Sequence, residues 1–112
     1  IFAQQSAQEL LPLVQQAKLL AKQYDAVIAN PPYMGGKFFN TNLKNYLKKN
    51  YKGFDKDLFS SFVIRNLDLT KPSGKLGFMT PHTWMSLSSY KSLRDELAIK
   101  KFEELKIKQK NA

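Results

Sequence analysis

Apolar residues recur with two rhythms along the 112-residue chain. Leu10, Leu13, Val14, Ala17 and then Leu20 or Ala21 return every three or four positions, which predicts a helix over Ser6 to Gln23. Pro12 interrupts the pattern, since a proline inside a helix removes a hydrogen bond. The helix is therefore expected either to start there, with proline in its first turn, or to kink. Asp25 to Ala29 is a short run, apolar on both faces, which predicts a strand in a parallel sheet covered on both sides. Asn30 to Asn40 reads as loop with Gly35-Gly36 as a flexible joint, and Thr41 to Asn50 as a helix with Leu43, Tyr46 and Leu47 on one side. Asp55 or Asp57 is expected to cap a helix whose apolar face is Leu58, Phe59, Phe62, Val63, Ile64 and Leu67. Lys71 to Gly74 reads as a turn, Lys75 to Met79 as a second strand and Thr80 to Leu87 as a loop. Ser88 or Ser89 then caps a helix through Leu97. Phe102 to Ile107 reads as a weak strand, within a tail over 99–112 that is expected to fray.

Helix and strand alternate, which predicts an open α/β fold with a parallel sheet. In such sheets ligands lie beyond the carboxyl ends of the strands. The loops after Ala29 and after Met79 both leave from that edge. They share one rim if the two strands are neighbours.

The first of these loops has unusual chemistry. Its strand ends in Asn30, Pro31, Pro32 and Tyr33. Two prolines have no N–H for a sheet ladder, so the strand must stop and the turn is stiff. Asn30 and Pro31 offer two acceptors side by side, a side-chain oxygen and a backbone carbonyl. A primary or aryl amine has two N–H donors that match the pair. Accepting both hydrogens draws the nitrogen lone pair out of conjugation, and Tyr33 can stack on the flat ring that carries it. The plainer alternative is that all four are turn residues, which Asn and Pro commonly are.

Composition bounds the rest. Hydrophobic residues make up 43%, a globular value, and one small domain is the expectation for this length. The chain has no cysteine and a single histidine, His82, which excludes a disulfide framework and leaves no metal cluster. Short apolar runs and the lack of a charged-then-apolar leader point to the cytoplasm. Eighteen Lys and Arg against nine Asp and Glu give a net charge of +9. Lys37, Lys44, Lys48, Lys49 and Lys52 fall within a stretch free of acids. DNA is the natural partner of such a face, with a merely solvated surface as the alternative.

The tetrad at Asn30 resembles motif IV of the S-adenosylmethionine-dependent amino-methyltransferases, including the DNA adenine-N6 enzymes. "DLFSSFVIRNLDLTKPSGKLGFMTPHTWM" is similar to the text that follows it in that group. "NPPYM", "LKNYLKKNY" and "WMSLSSYKSLR" resemble more closely the PglX-type adenine-specific methyltransferases of bacterial phage-defence (BREX) systems. The resemblance spans Leu10 to Leu97 and implies a Rossmann-like fold, S-adenosylmethionine as cofactor and DNA as substrate. It implies that Asn30 and Pro31 bind the exocyclic amine of a flipped adenine, that Pro32 stiffens the turn and that Tyr33 stacks on the base. Asp57, Leu58 and Phe59 would line the cofactor side. Thr80, Pro81 and Trp84 would lie beside the target pocket. From the charge pattern, not the resemblance, Lys37, Lys44 and Lys48 are expected to meet the phosphates. Trp84 has a second reading as a core anchor.

The Gly-rich cofactor turn of that family is missing, since none of the five glycines forms G-x-G. With Ile1 in place of Met, the chain is expected to be a central slice of the catalytic domain over 1–112, inactive alone and prone to form a homo-oligomer. Two other readings remain. One is a related enzyme acting on protein glutamine or ribosomal-RNA guanine, which shares the tetrad. The other is a catalytically dead, basic nucleic-acid-binding module.

Overall fold

In a computed structural model, which describes the backbone of residues 1–111 and the side chains of residues 1–101, two parallel strands lie at the centre. Strand β1 (Tyr24–Ala29) pairs with β2 (Thr70–Phe78), with Ala26 opposite Lys75 and Ala29 opposite Phe78. The expected neighbours are therefore neighbours. β2 begins earlier than its apolar residues suggest. Lys71 to Gly74 is not a turn before the strand but an irregularity within it, where the register slips between Tyr24 and Ala26. Gly74 makes that slip feasible. A Cβ there would lie 2.6 Å from Thr70 Cγ2 and 2.9 Å from the Asp25 carbonyl oxygen, closer than side chains tolerate.

Helix α1 (Phe2–Ala21) runs through Pro12 without a break, four residues longer at its start than its apolar spacing predicts. Every residue of α1 is exposed. Water can therefore satisfy the carbonyl that Pro12 leaves without an N–H partner. Arg65 and Gln23 tie its end down: Arg65 Nη2 donates to the Leu20 carbonyl at 2.8 Å and Gln23 Nε2 to the Asp68 carbonyl at 3.3 Å.

Helix α2 (Thr41–Asn50) has the bounds its apolar spacing predicts, and in the structure Asn40 caps it, its Oδ1 accepting from the Leu43 N–H at 2.8 Å. Helix α3 (Leu58–Leu69) packs on both strands. Its buried face is narrower than the run of large residues implies. Phe59 and Val63 are buried together with Ser60, Ser61 and Asn66, whereas Phe62 is exposed. With Leu93 they form the core, against which Phe54, Leu67, Phe78, Trp84 and Tyr90 pack. Leu93 belongs to α4 (Lys91–Asn111), which a short 3₁₀ turn at Ser88–Tyr90 precedes. α4 continues through residues 102–107, so no strand forms there. Residues 98–111 are rich in Lys and Glu, which favour a helix, and the alternation of Leu105 and Ile107 with lysines is too short to hold a strand. The tail over 99–112, expected to fray, continues the backbone of α4 to Asn111; side chains from residue 102 and all of Ala112 lie outside the described residues.

β1 is covered on one face only. Ile28 is 86% exposed, contrary to the expectation of a strand buried on both sides. The whole chain is correspondingly open. Its radius of gyration is 17.6 Å, against about 13 Å for a compact domain of this length.

Candidate amine-binding site

The two chemically marked loops meet at one sheet edge. The Met79 N–H donates to the Ala29 carbonyl at 3.2 Å, so the chain leaves β1 and β2 side by side. A cavity of about 360 Å³ opens there, lined by Ile28, Ala29, Asn30, Gly77, Phe78 and Met79.

Asn30 stands exposed at its margin, followed at once by buried Pro31. Neither the Asn30 carboxamide nor the Pro31 carbonyl accepts or donates a hydrogen bond among the described residues. The next carbonyl is engaged, as Pro32 O accepts from the Met34 N–H at 3.1 Å. Two adjacent acceptors are thus left without a hydrogen bond on a turn that is otherwise tied, Asn30 lining the cavity and Pro31 and Tyr33 lying outside its lining.

The ties extend to Gly35-Gly36, which is not a flexible joint. The Gly36 N–H donates to Lys56 O and the Leu58 N–H to Met34 O, both at 2.9 Å, and Gly35 pairs with Asp57 as an antiparallel bridge. Gly35 has φ −80°, a conformation any residue can adopt. Loop and helix start are therefore fastened by backbone, whatever the side chains do.

Tyr33 is 57% exposed, with its ring edge-on to Phe59 at 6.4 Å between centroids and 75° between planes. Phe59 is buried and packs at 5.6 Å on Tyr90. The Tyr90 hydroxyl donates to Asp57 Oδ2. Burial first, then the hydrogen bond and charge of Asp57, push the Tyr90 pKa up to about 12. Asp57 sits at the N-cap of α3 but makes no side-chain cap bond, because Tyr90 holds its carboxylate. The two residues assigned to the cofactor side are therefore engaged within the fold. Asp57 faces Tyr90, and Phe59 lies beneath Tyr33.

The second loop is braced in the same way. Trp84 Nε1 donates to Thr80 Oγ1 at 2.9 Å while the indole ring packs against the core. Arg94 Nη1 donates to the Trp84 carbonyl at 2.8 Å and to the Leu87 carbonyl at 2.7 Å. His82 is exposed in a 3₁₀ turn, His82–Met85. Tyr90 and Arg94 escaped the sequence reading, although both lie in the "SSYKSLR" string and are one helical turn apart. Their spacing was legible, but their partners were not. Of the lysines, Lys44 and Lys48 stand exposed on α2, and Lys37 lies 4.9 Å over the Phe38 ring.

The sequence model of the Eco57I restriction-modification methylases matches residues 3–109. The chain belongs to that family. It is 47% identical over 90 residues to the adenine-specific methyltransferase BrxX of Escherichia coli O9:H4 (strain HS), a match that covers 80% of this chain. It is 39% identical over 90 residues, again 80% of the chain, to the adenine-specific methyltransferase PglX of Lacticaseibacillus casei (strain Zhang). It is also 31% identical over 87 residues, 71% of the chain, to the type II restriction enzyme and methyltransferase RM.Eco57I of Escherichia coli. The chain spans only about 8% of the length of each of these relatives. No helix among the described residues is long and apolar enough to cross a membrane.

Proposed function

We propose that this family member is the amine-holding part of a DNA adenine-N6 methyltransferase of the BREX type, built on a partial Rossmann-like sheet. The observation that carries the reading is the pair of open acceptors, Asn30 and Pro31, on a turn fastened by backbone hydrogen bonds at the carboxyl end of a parallel strand. An exocyclic amine entering there donates one hydrogen to the Asn30 side-chain oxygen and the other to the Pro31 carbonyl. Both bonds lie on one side of the nitrogen and pull its lone pair away from the ring, so a poor nucleophile gains reactivity without a formal base. Tyr33 stacks on the base, and Phe59 and Tyr90 hold its ring from below. Extruding the base from its helix costs a few kcal/mol, an amount that stacking and the two amine bonds offset.

Adenine is preferred over glutamine amide or guanine because two relatives carry "adenine-specific" in their names. S-adenosylmethionine belongs to the reading as methyl donor. Asp57 and Phe59 are engaged elsewhere and G-x-G is absent, so the 112-residue polypeptide is expected to transfer no methyl group by itself. Tritiated-methyl incorporation into unmethylated DNA checks this, and incorporation that depends on Asn30 would contradict it. The function is tested in the gene that carries the sequence. Asn30→Ala there should erase N6-methyladenine from a defined set of genomic sites, read by modification-sensitive sequencing. An unchanged methylation pattern overturns the assignment.

A further inference from the structure

A second cavity, of about 260 Å³, lies away from the Asn30 rim, between α2 and α3. Tyr46, Tyr51 and Phe62 line it together with Leu43, Arg65 and Asn66. Its size is just below the 300–1,000 Å³ usual for a ligand pocket, which suits a single small ring system. Its walls are aromatic and aliphatic. Tyr46 and Tyr51 meet at 6.2 Å between centroids with 54° between their planes, and Tyr46 is 56% exposed.

One lining residue is out of keeping with those walls. Asn66 is 9% exposed, yet its carboxamide makes no hydrogen bond among the described residues. Its polar atoms still reach the cavity, since Ser60 Oγ is the only fully buried side-chain polar atom without a hydrogen-bond partner among the described residues, so the Asn66 amide is free to exchange water for a ligand's edge. Arg65 donates one nitrogen to Leu20 O, and its remaining donors have no partner among the described residues.

The rim supplies charge. On a helix of 3.6 residues per turn, Leu43, Tyr46 and Leu47 make one stripe, with Lys44 and Lys48 on one flank and Lys49 on the other. α2 contains no acid. A ligand with two apolar faces, a hydrogen-bonding edge and an attached negative charge fits each of these features, and a nucleotide is such a ligand. The amide of asparagine matches the donor–acceptor edge of a base, and tyrosines stack on bases of any sequence.

We propose that the α2–α3 cleft is a second DNA site, distinct from the Asn30 rim, that takes one unstacked base of single-stranded DNA while the α2 lysines hold the flanking phosphates. The choice of DNA rests on the methyltransferase reading above. The cleft itself rests on the tyrosine-lined cavity and the α2 lysines beside it.

The test is fluorescence anisotropy at low salt on the 112-residue chain. The probes are a labelled single-stranded deoxyoligonucleotide and an abasic strand with the same number of phosphates. The intact strand should bind about fivefold tighter or more, the low end of what stacking of one base contributes. Tyr46→Leu keeps the site apolar and alters an exposed side chain. It should bring the ratio close to unity while the far-ultraviolet circular dichroism stays unchanged. The ratio should survive Tyr33→Ala, which empties the other base site. Equal binding of the two strands, no binding of either, a ratio that withstands Tyr46→Leu, or a ratio lost with Tyr33→Ala each overturns the proposal. Loss with Tyr33→Ala would leave the methyltransferase reading standing, because base binding would then belong to the Asn30 rim.

Discussion

Single atoms decide two features of this fold. Gly74 lies where a Cβ would collide with Thr70 Cγ2 and two backbone carbonyls. Gly74→Ala must push β2 away from β1 and should destabilise the chain by about 1–3 kcal/mol, the usual cost of overpacking. Urea denaturation measures it, and an unchanged midpoint would mean that the strand slip absorbs a methyl group. Tyr90 is the second case. Its pKa is raised from 10.0 to about 12, chiefly by burial and then by Asp57. A tyrosine whose folded pKa lies above its unfolded value stabilises the fold fully below the unfolded pKa, and that contribution disappears as pH rises through the folded value. The thermal midpoint should therefore fall between pH 10 and pH 12, and fall less in Tyr90→Phe. Tyr51, raised by burial and by Tyr46, adds a background slope common to both proteins. Identical slopes in the two proteins would remove Tyr90 from the account.

At the scale of elements, local signals were reliable and contact-dependent ones were not. α2 spans Thr41–Asn50 as its apolar spacing predicts, and the two prolines after Asn30 end β1 as their missing N–H groups require. Pro12 shows the limit of such signals. It is a strong breaker in isolation, yet α1 passes through it because the helix is exposed to water throughout. Asp57 shows the converse: an ordinary cap residue in the sequence, it is diverted by Tyr90, 33 residues away. α2 carries the charge prediction. The isolated helix face should bind DNA weakly and without sequence preference. Reversing Lys44, Lys48 and Lys49 to Glu should lower the slope of log affinity against log salt by about two to three, one for each lost phosphate contact. Filter binding between low and physiological salt reads it. An unaltered slope would mark these lysines as a solvated face.

The whole molecule is open in a way that no window of sequence reveals. Its accessible surface is 8773 Å², against about 6,300 Å² for a folded monomer of 12.9 kDa. Ile28 on β1 and Leu10, Leu13, Leu19 and Leu20 on α1 contribute to the excess, at 54–86% exposure. One edge of β1 has no strand beside it among the described residues. A free edge beside exposed apolar side chains favours association. The polypeptide should sediment as a dimer or larger species at micromolar concentration. A monodisperse monomer that unfolds cooperatively would show that the small core of Phe59, Val63 and Leu93 is sufficient.

Sequence alone determined the order of elements as far as Leu97, the end of β1 before Asn30 and which acceptor groups the Asn30 tetrad carries. Each follows from bonds a residue can or cannot make within a few positions of itself. It also placed both loops on one rim, conditional on the pairing of two strands 46 positions apart, which only the fold could supply. Tertiary structure decided which acceptors stay open, which face of α3 is buried and why small Ser60 and Ser61 displace Phe62 from it. It also decided that Asp57 answers to Tyr90 and that Arg94 braces the Trp84 loop. These depend on contacts between residues distant in the chain, and the free energy of a hydrogen bond or a buried ring is set by the neighbour it meets. Apolar spacing reports that a residue wants burial; only the packed fold shows whether it is buried.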